Sequence, residues 1–141
     1  MKKFLILTVA ALVGFTANSC KKKECPKPEV WGVGTWKMTE YYDNGVLQDS
    51  SDPRIACTLQ QTIQLNDDAK GTWTFTQFDN STNTCTSDPS PVTSWAENLD
   101  KKTLMITIHF WGLDLGEEFI YENKDKMYHQ SSTKKYVYEK Q

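Results

Sequence analysis

The residues that could do chemistry in this chain are few. Its 141 residues include four cysteines and two histidines. No two cysteines form a Cys-x-x-Cys pair, and neither His109 nor His129 has a nearby cysteine or second histidine to complete a tetrahedral site. Because this spacing offers a metal ion no ligand set, we expect neither a bound metal nor a cofactor.

The adjacent carboxylates Glu117 and Glu118 come nearest to a catalytic acid–base pair. Consecutive residues of a strand point to opposite faces of a sheet, so these two cannot flank one bond or share a proton. The chain also lacks a Gly-x-Ser-x-Gly nucleophile motif and a phosphate-binding loop. The sequence therefore predicts a protein that is not an enzyme.

The first 19 residues predict a cleaved signal peptide. Two lysines precede an apolar run over residues 4–15, which is shorter than the roughly 20 residues that a membrane-spanning helix needs. The run ends at Ala17-Asn18-Ser19-Cys20, which resembles the lipobox of bacterial lipoproteins. We therefore expect Cys20 to carry the lipid that anchors the protein to a membrane; the alternative is ordinary secretion.

Residues 20–30 are predicted to form a flexible tether, because lysines and two prolines leave little to bury. The lysines would contact anionic headgroups or simply act as a solvated spacer. Lys21 stands where lipoproteins retained in the inner membrane have Asp. This favours the outer membrane, on its periplasmic face or at the cell surface.

The remaining residues, 31–141, have the length of one domain. They carry 10 basic and 16 acidic side chains, a net charge of −6. A nucleic acid needs a basic surface, so we expect no nucleic-acid partner. We expect the protein to be a monomer.

Alternation of apolar and polar residues with a period of two predicts an all-β domain. We find no convincing helix. The eight predicted strands span residues 34–42, 58–65, 72–78, 92–99, 103–110, 117–122, 126–130 and 134–139. Short connections favour an eight-stranded antiparallel up-and-down β-barrel, since closure removes the sheet edges. A β-sandwich is the alternative, because patterning does not reveal closure.

Export of the chain permits a disulfide. Cys57 precedes or begins the second predicted strand and Cys85 follows the third, so adjacent antiparallel strands would bring the two together. We therefore predict a Cys57–Cys85 bridge. Cys25, in the tether, would be free or paired with another molecule.

The first predicted strand begins with Gly34-Thr35-Trp36, and a Gly-x-Trp at this position is the signature of lipocalins. Further motifs follow in order: Asn44-Gly45, Cys57, Gly71-Thr72, Cys85, Trp95 and Leu104-Met105-Ile106. Together they resemble the lipocalin-like domain of small bacterial lipoproteins. The resemblance implies a barrel whose closed end is plugged by Trp36.

The chain departs from animal lipocalins near its end. Those proteins place an arginine late in the last strand, packed on the signature tryptophan, whereas the sole arginine here is Arg54. Lys134, Lys135 and Lys140 are the residues that would take its place, with poorer stacking.

The resemblance also implies a small hydrophobic ligand inside the barrel. The inward residues that would line a cavity are Met38, Leu59, Ile63, Phe75, Ile106, Ile108, Phe119, Tyr121 and Tyr138. Alternatively, these side chains fill a solid core, and the protein is an inhibitor-like interaction module of the cell envelope.

Residues 111–116 are predicted to be a loop with exposed apolar groups. Trp111 and Leu113 would form a lid over the barrel mouth or a partner contact. Alternatively, they fold back over the barrel end.

Overall fold

The computed structural model describes residues 29–141. The predicted signal peptide, the predicted lipidation site Cys20, Cys25 and the tether up to residue 28 lie outside the described residues. The described part carries one sheet and one short helix.

The elements follow one another with short connections. They are β1 (Gly34–Asp43), β2 (Val46–Leu47), α1 (Pro53–Thr58), β3 (Thr62–Leu65), β4 (Gly71–Asp79), β5 (Thr84–Asn98), β6 (Thr103–Phe110), β7 (Leu113–Asn123), β8 (Lys126–Ser131) and β9 (Lys134–Lys140).

The sheet closes into a barrel. Strand β1 pairs antiparallel with β3 on one side and with β9 on the other, so β1 and β3–β9 form a ring of eight strands. The two-residue strand β2 pairs with the end of β1 across a turn at Asn44-Gly45, where φ is 51° and 78°. The predicted barrel is confirmed, and the sandwich alternative is wrong.

The barrel has two distinct ends. We call one the closed end; it carries residues 29–33 and the connections 66–70, 99–102 and 124–125. We call the other the open end; it carries residues 44–61, which include β2 and α1, and the connections 80–83, 111–112 and 132–133.

The helix α1 corrects the prediction of a helix-free domain. Asp52 caps its N-terminus, accepting a hydrogen bond from the Arg54 amide, and Pro53 occupies the first turn, where its missing N–H costs nothing. Leu59 ends the helix in a helical conformation and therefore does not start a strand. The second predicted strand begins at Thr62 instead of residue 58.

The segment between the third and fourth predicted strands is mostly strand. Strand β5 starts at Thr84 and pairs with β4 through Pro89 and Pro91. Pairing with β6 begins only at Val92. Before Val92, the edge of β5 that faces away from β4 has no partner strand, so the two prolines, which lack an N–H, break no hydrogen bond there.

The predicted loop 111–116 is also largely strand. Strands β6 and β7 pair up to Phe110 and Leu113, which leaves a two-residue turn of Trp111 and Gly112. Both turn residues have positive φ, 54° and 79°. Leu113 is therefore the first residue of β7.

The predicted disulfide is confirmed. Cys57 of α1 and Cys85 of β5 are bonded, with 5.5 Å between their Cα atoms. The bridge holds the helix against the open end, where the Thr76 hydroxyl on β4 also donates to the Cys57 carbonyl oxygen at 2.6 Å.

Candidate functional site

The closed end is plugged by a tryptophan. Trp36 is fully buried, and its Nε1 donates to the Gly32 carbonyl oxygen at 2.8 Å. The Lys140 ammonium lies 5.4 Å from the Trp36 ring centroid and donates to the Trp31 carbonyl oxygen at 3.0 Å. Of the lysines that could replace the lipocalin arginine, Lys140 lies on the tryptophan.

Gly34 belongs to the same closure. Its φ of 134° is one that L residues rarely adopt, and a Cβ there would lie 2.7 Å from Cε of Lys140. Any larger residue would force the Lys140 side chain to shift. The predicted signature therefore acts through close packing.

Glu97, which was not among the predicted site residues, completes the closed end. Its carboxylate accepts hydrogen bonds from the amides of Trp31 and Gly32 and from the Tyr121 hydroxyl, the last at 3.2 Å. Burial, and then the Glu97 charge, raise the pKa of Tyr121 above its ordinary value. Tyr121 is therefore part of the plug.

The open end contains a cavity of about 480 Å³. Its lining is predominantly apolar, with Trp73 and Phe75 stacked at a ring-centroid distance of 4.7 Å. The lining residues are Trp73, Phe75, Thr76, Gln77, Thr86, Asp88, Ile108, Phe110, Leu115 and Glu117.

A second cavity, of about 240 Å³, adjoins the first. The two share Trp73, Phe75 and Glu117 as lining residues. The others that line the second cavity are Gln61, His129, Tyr136 and Tyr138. We call the two together the mouth cavity. Burial raises the pKa of both tyrosines, so their hydroxyls stay neutral.

A histidine and a carboxylate face each other in the mouth cavity. Nδ1 of His129 lies 3.0 Å from the Glu118 carbonyl oxygen, and Nε2 lies 3.4 Å from Oε2 of Glu117. Glu118 itself is exposed on the other face of β7, as the alternation of a strand requires. The second histidine, His109, pairs instead with Asp114 at 2.9 Å, and both side chains are largely exposed.

Three of the predicted ligand-contacting residues line the mouth cavity. Phe75 lines both parts, Ile108 lines the larger part and Tyr138 the smaller. Whether they contact a ligand stays a prediction.

The other predicted candidates lie elsewhere. Four are core side chains with at most 1% exposure: Met38, Ile63, Ile106 and Phe119. Leu59 is half-buried at the end of α1, packed against the core, and Tyr121 lies in the plug. The four core side chains fill the barrel below the mouth cavity.

Several mouth residues were not among the predicted candidates, although their positions in the strands indicate that they point inward. Trp73 shares the parity of Phe75 on β4, and Glu117 shares that of Phe119 on β7. His129 likewise follows the buried Met127 by two residues. Inward parity would have placed all three inside the barrel.

Residues 29–141 contain neither a candidate metal site nor a candidate membrane-spanning helix. No three His, Cys, Asp or Glu side chains there gather as a metal site would require. Within the same range, no helix has the length and hydropathy to cross a membrane.

A closed antiparallel barrel with one plugged end and a cavity at the other defines the class of lipocalin-like β-barrels. The chain matches the lipocalin-like domain family over residues 33–127, and it belongs to this family. The fold of the family is typically one for binding rather than catalysis.

A solved structure supports the fold. An uncharacterized protein from Bacteroides eggerthii DSM 20697 is 16% identical, and the alignment covers 79% of this chain and all of the other, with a TM-score of 0.50. At this identity the likeness concerns the fold alone. A comparison with curated proteins gives no match.

Proposed function

We propose that the protein is a lipid-anchored, lipocalin-like protein of the cell envelope that binds a small hydrophobic ligand and performs no catalysis. The observation that carries the binding role is the predominantly apolar cavity of about 480 Å³ at the open end. Small-molecule sites range from about 300 to 1,000 Å³ and are mostly apolar with a few polar groups. A solid barrel would have favoured the inhibitor-like alternative.

The ligand site is confined to the open half of the barrel. Below it, Met38, Ile63, Ile106 and Phe119 are fully or almost fully buried and belong to the hydrophobic core. A ligand would enter between the connections of the open end and rest on Trp73 and Phe75.

The binding proposal is tested with a variant in which a larger side chain fills the mouth cavity. Gln77→Trp places an indole in the mouth, whereas Ser87→Trp adds the same group to the neighbouring strand outside the lining. We expect the neutral fluorescent probe N-phenylnaphthylamine to bind the wild type and Ser87→Trp, with affinity at least about tenfold weaker for Gln77→Trp. Equal binding by all three proteins would contradict the proposal.

Native mass spectrometry addresses the physiological ligand. Protein purified from its host is measured under non-denaturing conditions, and a co-purified small molecule appears as added mass. We expect that mass to be lost in Gln77→Trp and kept in Ser87→Trp. Added mass retained by Gln77→Trp would place the molecule outside the mouth cavity.

The anchoring proposal is supported by the apolar leader and by the small residues before Cys20. In addition, residues 29–33 lie at the closed end, so the chain would leave the barrel on the side opposite the ligand entrance. Cys20→Ser should abolish membrane fractionation. Unchanged fractionation of that variant would refute lipidation, and density separation of the wild-type membranes tests the outer-membrane assignment.

One observation favours a protein-contact role as a second candidate. Trp111 is 89% exposed and Leu113 65% exposed, so neither folds back over the barrel end. Exposed apolar groups at a turn are typical of contact sites. If contact with a protein partner is the main role, we expect Trp111→Ser to impair the function of the protein in its host cells. Gln77→Trp should then leave that function intact.

A further inference from the structure

The charged side chains that line the mouth cavity are acidic. Asp88 lines the larger part, and Glu117 lines both parts. Among the described residues no lysine or arginine contributes to either lining, and His129 is the one basic group there. An anionic ligand head in this cavity would meet like charges and no fixed cation.

Glu117 is the better placed of the two carboxylates. It lies where the two parts of the cavity join, beside Trp73 and Phe75, with its side chain 35% exposed. It is therefore partly desolvated yet accessible from the open end. A charge in such a place attracts an opposite charge more strongly than a fully hydrated one does.

The His129 ring places a second polar atom beside Glu117. A carbonyl oxygen only accepts hydrogen bonds, so the Nδ1 that faces the Glu118 carbonyl at 3.0 Å carries a hydrogen. In the neutral ring, Nε2 then presents a lone pair to the Glu117 carboxylate, 3.4 Å away. A cation or a hydrogen-bond donor placed beside His129 Nε2 and the Glu117 carboxylate would interact favourably with both acceptors.

The aromatic rings complete a cation-binding environment. The indole of Trp73 and the rings of Phe75, Tyr136 and Tyr138 line the cavity around Glu117. Aromatic faces attract cations, most strongly for tryptophan and when water is excluded. The net charge of −6 over residues 31–141 adds an attractive long-range field.

We propose that the mouth cavity selects amphipathic cations: molecules with an apolar chain or ring system and an amine or quaternary ammonium head, the head lying against Glu117, Asp88 and the aromatic rings. This inference rests on the proposed binding function and narrows its ligand class. Fatty acids and other amphipathic anions are disfavoured by the same carboxylates.

The test compares three ligands with the same chain and different heads. Decyltrimethylammonium, decanol and decanoate are titrated against the complex of the protein with N-phenylnaphthylamine, and loss of probe fluorescence reports displacement. We expect decyltrimethylammonium to bind at least about tenfold more tightly than decanoate, with decanol between them. Added salt should narrow the difference between the two charged ligands.

Matched variants locate the effect. Glu117→Gln should weaken decyltrimethylammonium binding by about tenfold and leave decanol binding unchanged. Glu118→Gln removes the same charge from the exposed face of β7 and should change neither affinity. Asp88→Asn, at an exposed position of β5, is the second test if Glu117→Gln does not fold, as judged by circular dichroism.

The possible failures are distinguishable. If decanol or decanoate binds as tightly as the cation, or if both Glu117→Gln and Asp88→Asn bind the cation like the wild type, the charge selectivity is wrong while the binding function stands. If neither the probe nor any decyl ligand binds, the proposed function itself fails.

Discussion

Lys140 shows how position in the barrel decides which residue supports a signature tryptophan. Lys134 and Lys135 begin β9 at the open end, whereas Lys140 ends that strand at the closed end, beside Trp36. Its ammonium donates to the Trp31 carbonyl oxygen and lies over the Trp36 ring. The chain therefore keeps a basic residue at the position of the lipocalin arginine, late in the last strand, but with an ammonium group in place of the guanidinium.

The closure gives a prediction for Lys140. Lys140→Met removes a hydrogen bond and a cation–π contact, and we expect the free energy of unfolding to fall by about 1 kcal/mol. Lys140→Arg is the matched control and should be neutral or stabilising, because a guanidinium stacks better on an indole. Urea denaturation measures both. A Lys140→Met variant as stable as the wild type would show that the contact adds nothing.

Much of the site could be predicted from residue types and parity. Strict alternation places Phe75 and Ile108 inward, and the structure finds both in the cavity lining. The same rule applied to Glu117 and His129 would have found the polar pair. The sequence could not show which inward residues meet a void, because that depends on how neighbouring strands fill the same level of the barrel.

At the scale of the element, α1 was hidden by a strand-like pattern. Leu59 and Ile63 share the parity of a strand, yet a capping aspartate and a proline at the first turn start a helix at residue 53. A single short helix gives no periodic signal of its own. The Cys57–Cys85 disulfide attaches α1 to β5, so a covalent bond supports this short helix in addition to its capping residues.

Loss of that bond is expected to cost stability. The bridge closes a sequence separation of 28 residues. The chain-entropy model assigns such a loop about 3–4 kcal/mol, which Cys57→Ala with Cys85→Ala should remove. Cys25→Ala leaves the bridge intact and is the control. If the double variant unfolds at the same urea concentration as this control, the bridge is not a stabilising element.

The β6–β7 turn carries a residue poorly suited to it. Trp111 has φ of 54°, a left-handed conformation that bulky residues disfavour, and Gly112 follows. Asn-Gly is the preferred pair for such a turn, so Trp111→Asn should stabilise the protein by about 0.5–1 kcal/mol. Trp111→Val should destabilise it. A thermal unfolding temperature lowered by the asparagine would mean that Trp111 contributes more by contact than it costs in backbone strain.

At the scale of the whole molecule, barrel closure and register shifts between strands determine which side chains point inward, and alternation alone does not predict this. Register shifts interrupt the pairing after Met38 on β1, after Val92 on β5 and after Tyr121 on β7. Each shift exchanges the inward and outward positions beyond it. Parity read from the middle of a strand therefore fails near its ends, which is why Glu97 was not recognised as an inward residue.

The seam that closes the barrel is predicted to weaken in acid. Glu40 on β1 accepts a hydrogen bond from the Tyr42 hydroxyl at 2.7 Å, and Lys126 on β8 reaches it across β9 at 3.2 Å. The Tyr42 hydrogen bond, followed by Lys126, holds the pKa of Glu40 below its ordinary value of 4.5. The folded state thus binds the proton less readily than the unfolded chain.

The sign of the pH effect follows from this lowered pKa. The stabilisation by Glu40 is fully present above its ordinary value of 4.5 and is lost as the pH falls through the lower pKa of the folded state. Urea denaturation from neutral pH to about pH 3 should therefore show a shallower acid decline for Glu40→Gln than for the wild type. Glu118→Gln, on the exposed face of β7, should retain the wild-type decline. Parallel curves for Glu40→Gln and the wild type would remove Glu40 from the acid sensitivity of the closing seam.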